Sequence, residues 1–159
     1  MDEKVIPETG EEGKKETDSP GFALDFLPWG SEAKAGQLSP LALAFLGDAV
    51  FELCIRTLTV QTHDASPNDL NKMKNRMARA EFQSEAVERI LPILSETEAD
   101  IYRRGRNAKS KTMAKHASMS DYRRATGFEA LLGYLYLSGK KERILEIISR
   151  GVKTDEERI

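Results

Sequence analysis

A single cysteine, Cys54, leaves the chain unable to form an internal disulfide. Set between Leu53 and Ile55 in an apolar run, it reads as a small buried hydrophobe rather than a nucleophile. The two histidines, His63 and His116, cannot complete a structural zinc site with one cysteine. His63-Asp64 stands in a turn with no serine on a strained elbow, so a hydrolase triad is not indicated. No glycine-rich loop ends in a phosphate-binding lysine, which excludes the usual nucleoside triphosphatases. No apolar run approaches bilayer length, and no charged start leads into an apolar signal core. The acidic start also argues against a transit peptide, so the expected compartment is the cytoplasm and no membrane partner is expected. Internal repeats and alternating strand patterns are missing too, leaving an all-α single helical bundle as the fold class. Net charge is only −2, so total charge does not mark a nucleic-acid binder.

What is present centres on Leu41–Arg56, LALAFLGDAVFELCIR. Ser39-Pro40 opens it with a capping residue and a proline already at helical φ. Asp48 is set among its apolar residues, sharing a helical face with Ala44, Phe45 and Phe51, and with Glu52 one turn on. An aspartate in such company resists ionisation unless something compensates it, so it is either a salt-bridge partner or a metal ligand. Tyr122–Leu137, YRRATGFEALLGYLYL, repeats the pattern with Glu129 near Ala125, Thr126, Leu132, Gly133 and Tyr136. Each helix carries a glycine beside its core face, Gly47 and Gly133, at a cost of roughly 1 kcal/mol in helix propensity. Small residues let helices approach closely, which would bring the two acids together. Two converging carboxylates repel unless a divalent cation lies between them.

FLGDAV at Phe45–Val50 with FEALLGYLYL at Phe128–Leu137 resembles the endonuclease domain of the ribonuclease III family. More narrowly it is similar to the mini-ribonuclease III branch, which lacks a double-stranded-RNA-binding domain. The resemblance covers roughly Leu38 to Val152. Full-length enzymes of the family carry further acids where this chain has Leu41, Ala44 and Thr126. With Asp48 and Glu129 remaining, phosphate oxygens and waters would complete a near-octahedral Mg²⁺. Glu52 is a third acid that either binds a water on the metal or pairs with Arg56 at i+4.

Taken in order, residues 1–20 hold seven acids against three lysines and are expected to be a disordered acidic tail. Residues 21–38 read as an irregular segment docked on the body through Phe22, Leu24, Phe26, Leu27 and Trp29. Residues 39–152 form the catalytic domain, and 153–159 fray. Within it, Ser66-Pro67 caps a second helix expected to run to about Leu91, where Pro92 stops it. Lys72, Arg76 and Arg79 form a basic stripe on that helix. Ser95–Glu98 reads as a capping box opening a short helix with Ile101 and Tyr102. The Glu129 helix is expected to begin at Ser120 or Asp121 and end at Gly139, and Lys140–Arg150 forms the last helix. Five or six helices are expected in all.

Charge is concentrated between Arg103 and Arg124, where eight basic side chains face one acid, Asp121. They are Arg103, Arg104, Arg106, Lys109, Lys111, Lys115, Arg123 and Arg124, and Gly105–Ser120 between them reads as a loop. Guanidinium forks hold phosphates bidentately, and each neutralised phosphate releases counterions, so this stretch is expected to bind RNA. Asn107 either bonds a phosphate or caps a helix; His116 either touches RNA or is solvated.

The resemblance implies a homodimer packed about the helices bearing Asp48, with one site per protomer. It implies Mg²⁺, with Mn²⁺ able to substitute, held by Asp48 and Glu129. Hydrolysis of double-stranded RNA would leave a 5′-phosphate and a 3′-hydroxyl, with short 3′ overhangs. The expected substrate is large-subunit ribosomal precursor RNA, presented with a ribosomal protein that shapes it. The alternative is a non-catalytic helical RNA-binding adaptor of the same fold, favoured by the missing acids at Ala44 and Thr126.

Overall fold

The computed structural model describes residues 32–109 and 118–152. Among these described residues seven α-helices run in order: α1 Glu32–Gln37, α2 Pro40–Thr62, α3 Pro67–Met77, α4 Ala80–Ile90, α5 Glu96–Asn107, α6 Met119–Leu137 and α7 Lys141–Gly151. A 3₁₀ turn, Leu91–Ile93, links α4 to α5, and the described residues contain no strand. The acidic tail, the Gly21–Gly30 segment, Lys111, Lys115, His116 and residues 153–159 lie outside the described residues.

The bundle is arranged around α6. From Ala125 to Tyr136 every residue of it is buried except Glu129. A helix apolar on all sides must be surrounded, and α1, α2, α4, α5 and α7 pack around this one. Ser118 caps its start by accepting from the Asp121 N–H. Gly139, at φ +70°, turns the chain out at the far end, its N–H donating to the Tyr136 carbonyl. Phe51 of α2 meets Phe128 of α6 edge-on at 5.5 Å between ring centroids, both rings buried.

Between α2 and α6 there is no room for side chains at the crossing. A Cβ on Gly47 would lie 1.6 Å from the Glu129 carbonyl oxygen, and one on Gly133 would lie 2.0 Å from that of Leu43. The helices touch backbone to backbone, so the missing methyl groups set the distance between the residues beside them.

Three sequence expectations need correction. The single helix expected from Ser66-Pro67 to about Leu91 is two, α3 and α4, parted at Arg79, which is extended (φ −70°, ψ 145°). Leu70, Met73 and Met77 lie on one helical face, whereas Phe82, Ala86, Val87 and Ile90 continue on another. One straight helix could aim only one set at the core, and the break lets α4 bury the second against α6. Likewise α5 runs on to Asn107, and α6 starts at Met119, so helix takes both ends of the expected Gly105–Ser120 loop. The last turns of α5 are held because Arg104 donates to the Gly36 carbonyl at 3.0 Å and reaches that of Leu38. Finally, Glu32–Gln37, within the segment expected to be irregular, is helix α1. Its Glu32 accepts from the Tyr134 hydroxyl and from Lys140. The capping box forms as read, and its Glu98 also accepts from Arg143 of α7 at 2.8 Å.

Gly47→Ala and Gly133→Ala are each expected to destabilise the fold by about 3 kcal/mol or more, beyond ordinary overpacking, because the clashing atoms are backbone. Thermal unfolding by circular dichroism measures this; unchanged midpoints would contradict the described crossing.

Candidate active site

The α2–α6 crossing brings Asp48 and Glu129 into electrostatic contact. Asp48 follows Gly47 directly, and it is the carbonyl of Glu129 itself that Gly47 faces. Glu129 is partly buried, and its carboxyl is pushed up to about 8 by burial first and then by the Asp48 charge. Asp48, at the exposed edge, is also raised, by partial burial and then by the charge of Glu52. Two acids with raised pKa values at one seam hold unfavourable charge unless a cation offsets it.

Glu52 does not turn toward that seam as a free acid. It accepts from Arg56 at 2.7 Å and lies 3.6 Å from Lys74 of α3. The bond to Arg56 and the nearby lysine hold its carboxyl below the usual range, against a smaller opposing effect of burial. Among the described residues no group of three or more His, Cys, Asp or Glu side chains forms a metal-binding cluster. At the three places where full-length enzymes carry further acids, Leu41 and Ala44 offer no side-chain donor atom, and the buried Thr126 donates its hydroxyl to the Tyr122 carbonyl. The side chains that could hold a metal at this seam are the two hard carboxylates of Asp48 and Glu129. That suits Mg²⁺ or Mn²⁺, since Mg²⁺ is ordinarily held by one or two carboxylates and completes its shell with waters and phosphate oxygens.

One residue of this site escaped the sequence pattern. Gln83 of α4, buried at 1 % exposure, hydrogen-bonds the Glu129 carboxylate with its side-chain amide. The available signal was a glutamine lodged between Phe82 and Ala86 on a core-facing stripe.

The basic residues separate into two groups. Arg104 is engaged at the α1–α2 carbonyls; Arg124 donates to Ser84 and pairs with Glu88 at 3.2 Å; Arg103 pairs with Asp100. Arg106, Asn107, Lys109 and Arg123 are exposed, with the Arg106 guanidinium 5.9 Å from the centre of the Tyr102 ring. Arg106, Asn107, Arg123 and Arg124 line an open hollow of about 560 Å³ between the end of α5 and the start of α6.

The ribonuclease III domain family matches residues 41–140, the span that holds both acids and the basic surface. The chain belongs to the ribonuclease III family. A mini-ribonuclease 3 from Thermoanaerobacter sp. (strain X514) is 52 % identical over 120 residues, covering 76 % of this chain and 84 % of that protein. The mini-ribonuclease 3 of Brevibacillus brevis is 49 % identical over 112 residues, with 70 % and 84 % covered. A crystal structure of a Fusobacterium nucleatum protein matches with a TM-score of 0.67 at 34 % identity, covering 76 % of this chain and 94 % of that one. Within the family the chain falls in the mini-ribonuclease III branch, and it is an endoribonuclease rather than a non-catalytic adaptor. Ribonuclease III enzymes generally depend on a divalent metal, and the two-carboxylate seam fits that dependence. Among the described residues no helix is long and apolar enough to cross a membrane.

The raised Glu129 carboxyl gives the metal-free protein a defined pH dependence. Folded protein binds more protons than unfolded between the ordinary carboxyl value of 4.5 and about 8. The stabilising contribution is therefore complete below 4.5 and lost as pH rises toward 8. Urea unfolding of metal-free protein at pH 5.5 and 8 is expected to show lower stability at the higher pH, with the difference shrinking in Glu129→Gln. Equal slopes in the two proteins would remove Glu129 as its source.

Proposed function

We propose that the chain cleaves double-stranded RNA as a Mg²⁺-dependent homodimer in the cytoplasm, with large-subunit ribosomal precursor RNA as its substrate. The observation that carries this reading is the convergence of Asp48 and Glu129 where α2 and α6 touch. The two carboxylates would hold the ion, with Mn²⁺ able to replace Mg²⁺. When bound, the metal supplies a Lewis acid that lowers the pKa of a coordinated water and offsets charge on the scissile phosphate. Asp48, at the accessible edge, marks the side from which the RNA backbone enters. Glu129, deeper in the seam, is partly shielded from water and hydrogen-bonded by Gln83. In-line attack by water with departure of the 3′-oxygen leaves a 5′-phosphate and a 3′-hydroxyl.

Arg106, Asn107, Lys109 and Arg123 offer a polar and cationic surface suited to the phosphates and 2′-hydroxyls of a duplex read by shape. Lys111 and Lys115 extend the same basic stretch in sequence. Arg103, Arg104 and Arg124 contribute charge while also holding the helices that present the others. A ribosomal protein that shapes the precursor would suit an enzyme with this small a contact surface.

Dimerisation is supported by the outer face of α2. Leu41, Phe45 and Leu53 lie along it at helical spacing, and Phe45 is 86 % exposed on the turn before Asp48. A second copy packed on this stripe about a two-fold axis would cover the ring. Each protomer would bring one site, and the pair would cut both strands with a short 3′ overhang.

Cleavage of a folded ribosomal precursor with Asp48→Asn and Glu129→Gln tests the mechanism. Each change is expected to slow cleavage on the order of 10³-fold or more while RNA binding survives; turnover equal to the parent's would refute it. Phe45→Asp is expected to give monomers in sedimentation velocity, and a dimer unaffected by that change would place the interface elsewhere.

A further inference from the structure

Among the described residues, two side-chain oxygens are buried without a partner, Oγ of Ser138 at the end of α6 and Oε1 of Gln83, and only Gln83 lies beside the acids of the site. Thr59 and Thr126 donate to carbonyls of their own helices, Ser84 accepts from Arg124, and Glu98 is tied to Arg143. Gln83 differs. It sits in the core on α4, yet its Oε1 is buried without a partner. Its amide has a bond to the Glu129 carboxylate, in which the N–H donates. An orphaned amide oxygen is unfavourable in a core, and a methionine or leucine would fill similar space without it, giving up only the bond to Glu129. What a glutamine adds here that an apolar residue would not is the bond to Glu129.

The surrounding site supplies the reason. With Ala44 and Thr126 in place of further acids, the orientation of Glu129 rests on few groups. Gln83 is the neighbour on α4 that bonds it, and α4 is itself fixed along α6. We infer that Gln83 is a positioning residue whose amide N–H holds the Glu129 carboxylate turned toward Asp48, ready for a divalent cation. The inference rests on the reading that Asp48 and Glu129 hold that cation. Groups bonded to a metal ligand fix its direction, and removing them weakens metal binding without removing a ligand.

The test is Mn²⁺ binding to the full chain without RNA, read from the electron paramagnetic resonance signal of free Mn²⁺, together with metal-free thermal unfolding. The proteins compared are the parent, Gln83→Met, Gln83→Leu, Glu129→Gln and Gln83→Met combined with Glu129→Gln. Gln83→Met is expected to weaken Mn²⁺ binding about 10- to 100-fold while its unfolding midpoint stays equal or rises. In the Glu129→Gln background the same change is expected to add nothing, because the group it positions is gone. Should Gln83→Met fail to fold, Gln83→Leu carries the comparison. Binding within about twofold of the parent, or an undiminished loss in the Glu129→Gln background, would overturn the inference. Loss of folding in both single variants would make Gln83 purely structural and overturn it as well. Glu129→Gln binding Mn²⁺ as tightly as the parent would instead refute the two-carboxylate reading beneath it, and the inference with it.

Discussion

The contact between the backbones of α2 and α6 is the constraint on which the site depends. Two glycines lower helix propensity by about 1 kcal/mol each, and the chain recovers that cost through a crossing that no larger residue permits. Gly47 faces the Glu129 carbonyl and Gly133 faces that of Leu43, so each helix rests on the other at the turns that carry the acids. The same contact that packs the core therefore fixes the spacing of the two carboxylates. It also explains why they are electrostatically strained, since neither helix can withdraw its acid without opening the seam.

Around that seam the other helices divide the work. α4 reaches the site through Gln83 and anchors Arg124 through the adjacent Ser84. α5 is pinned at its start by Glu98 and Arg143 and toward its end by Arg104, which leaves Arg106, Asn107 and Lys109 at the surface. α3 has no fully buried residue, and its Lys74 turns toward Glu52 of α2 while Lys72 and Arg76 are exposed. Cations in this chain thus serve two purposes: some lock helices by meeting carbonyls and carboxylates, and others remain accessible to an anionic partner. Net charge alone, at −2, conceals both.

Where the sequence misled, the cause was the same each time. The break at Arg79 has no proline or glycine to announce it; it follows from two apolar faces that must both reach α6 and α2. The helical reach of α5 through Arg104–Asn107 depends on carbonyls at Gly36 and Leu38, some 66 to 68 positions away in sequence. Phe45 looks like a core residue in a linear pattern, yet it stands on the outer face of α2 because Leu43, Ala44 and Gly47 take the inner one. Partners distant in the chain decide these outcomes, and local propensity carries no record of them.

The sequence by itself determined the all-α class, most helix starts, and the two acids on apolar helices with their glycines, because caps, periodicity and misplaced charges are local properties. It also determined family membership, through two short motifs in a fixed order. Only the tertiary structure decided that Glu52 is taken by Arg56 and Lys74, that Arg104 and Arg124 are partly consumed in holding helices, and that Gln83 touches Glu129. Apart from Glu52 with Arg56, one turn on along α2, those are pairings between segments distant in the chain, and a side chain's partner is settled by which surfaces the packed core brings face to face.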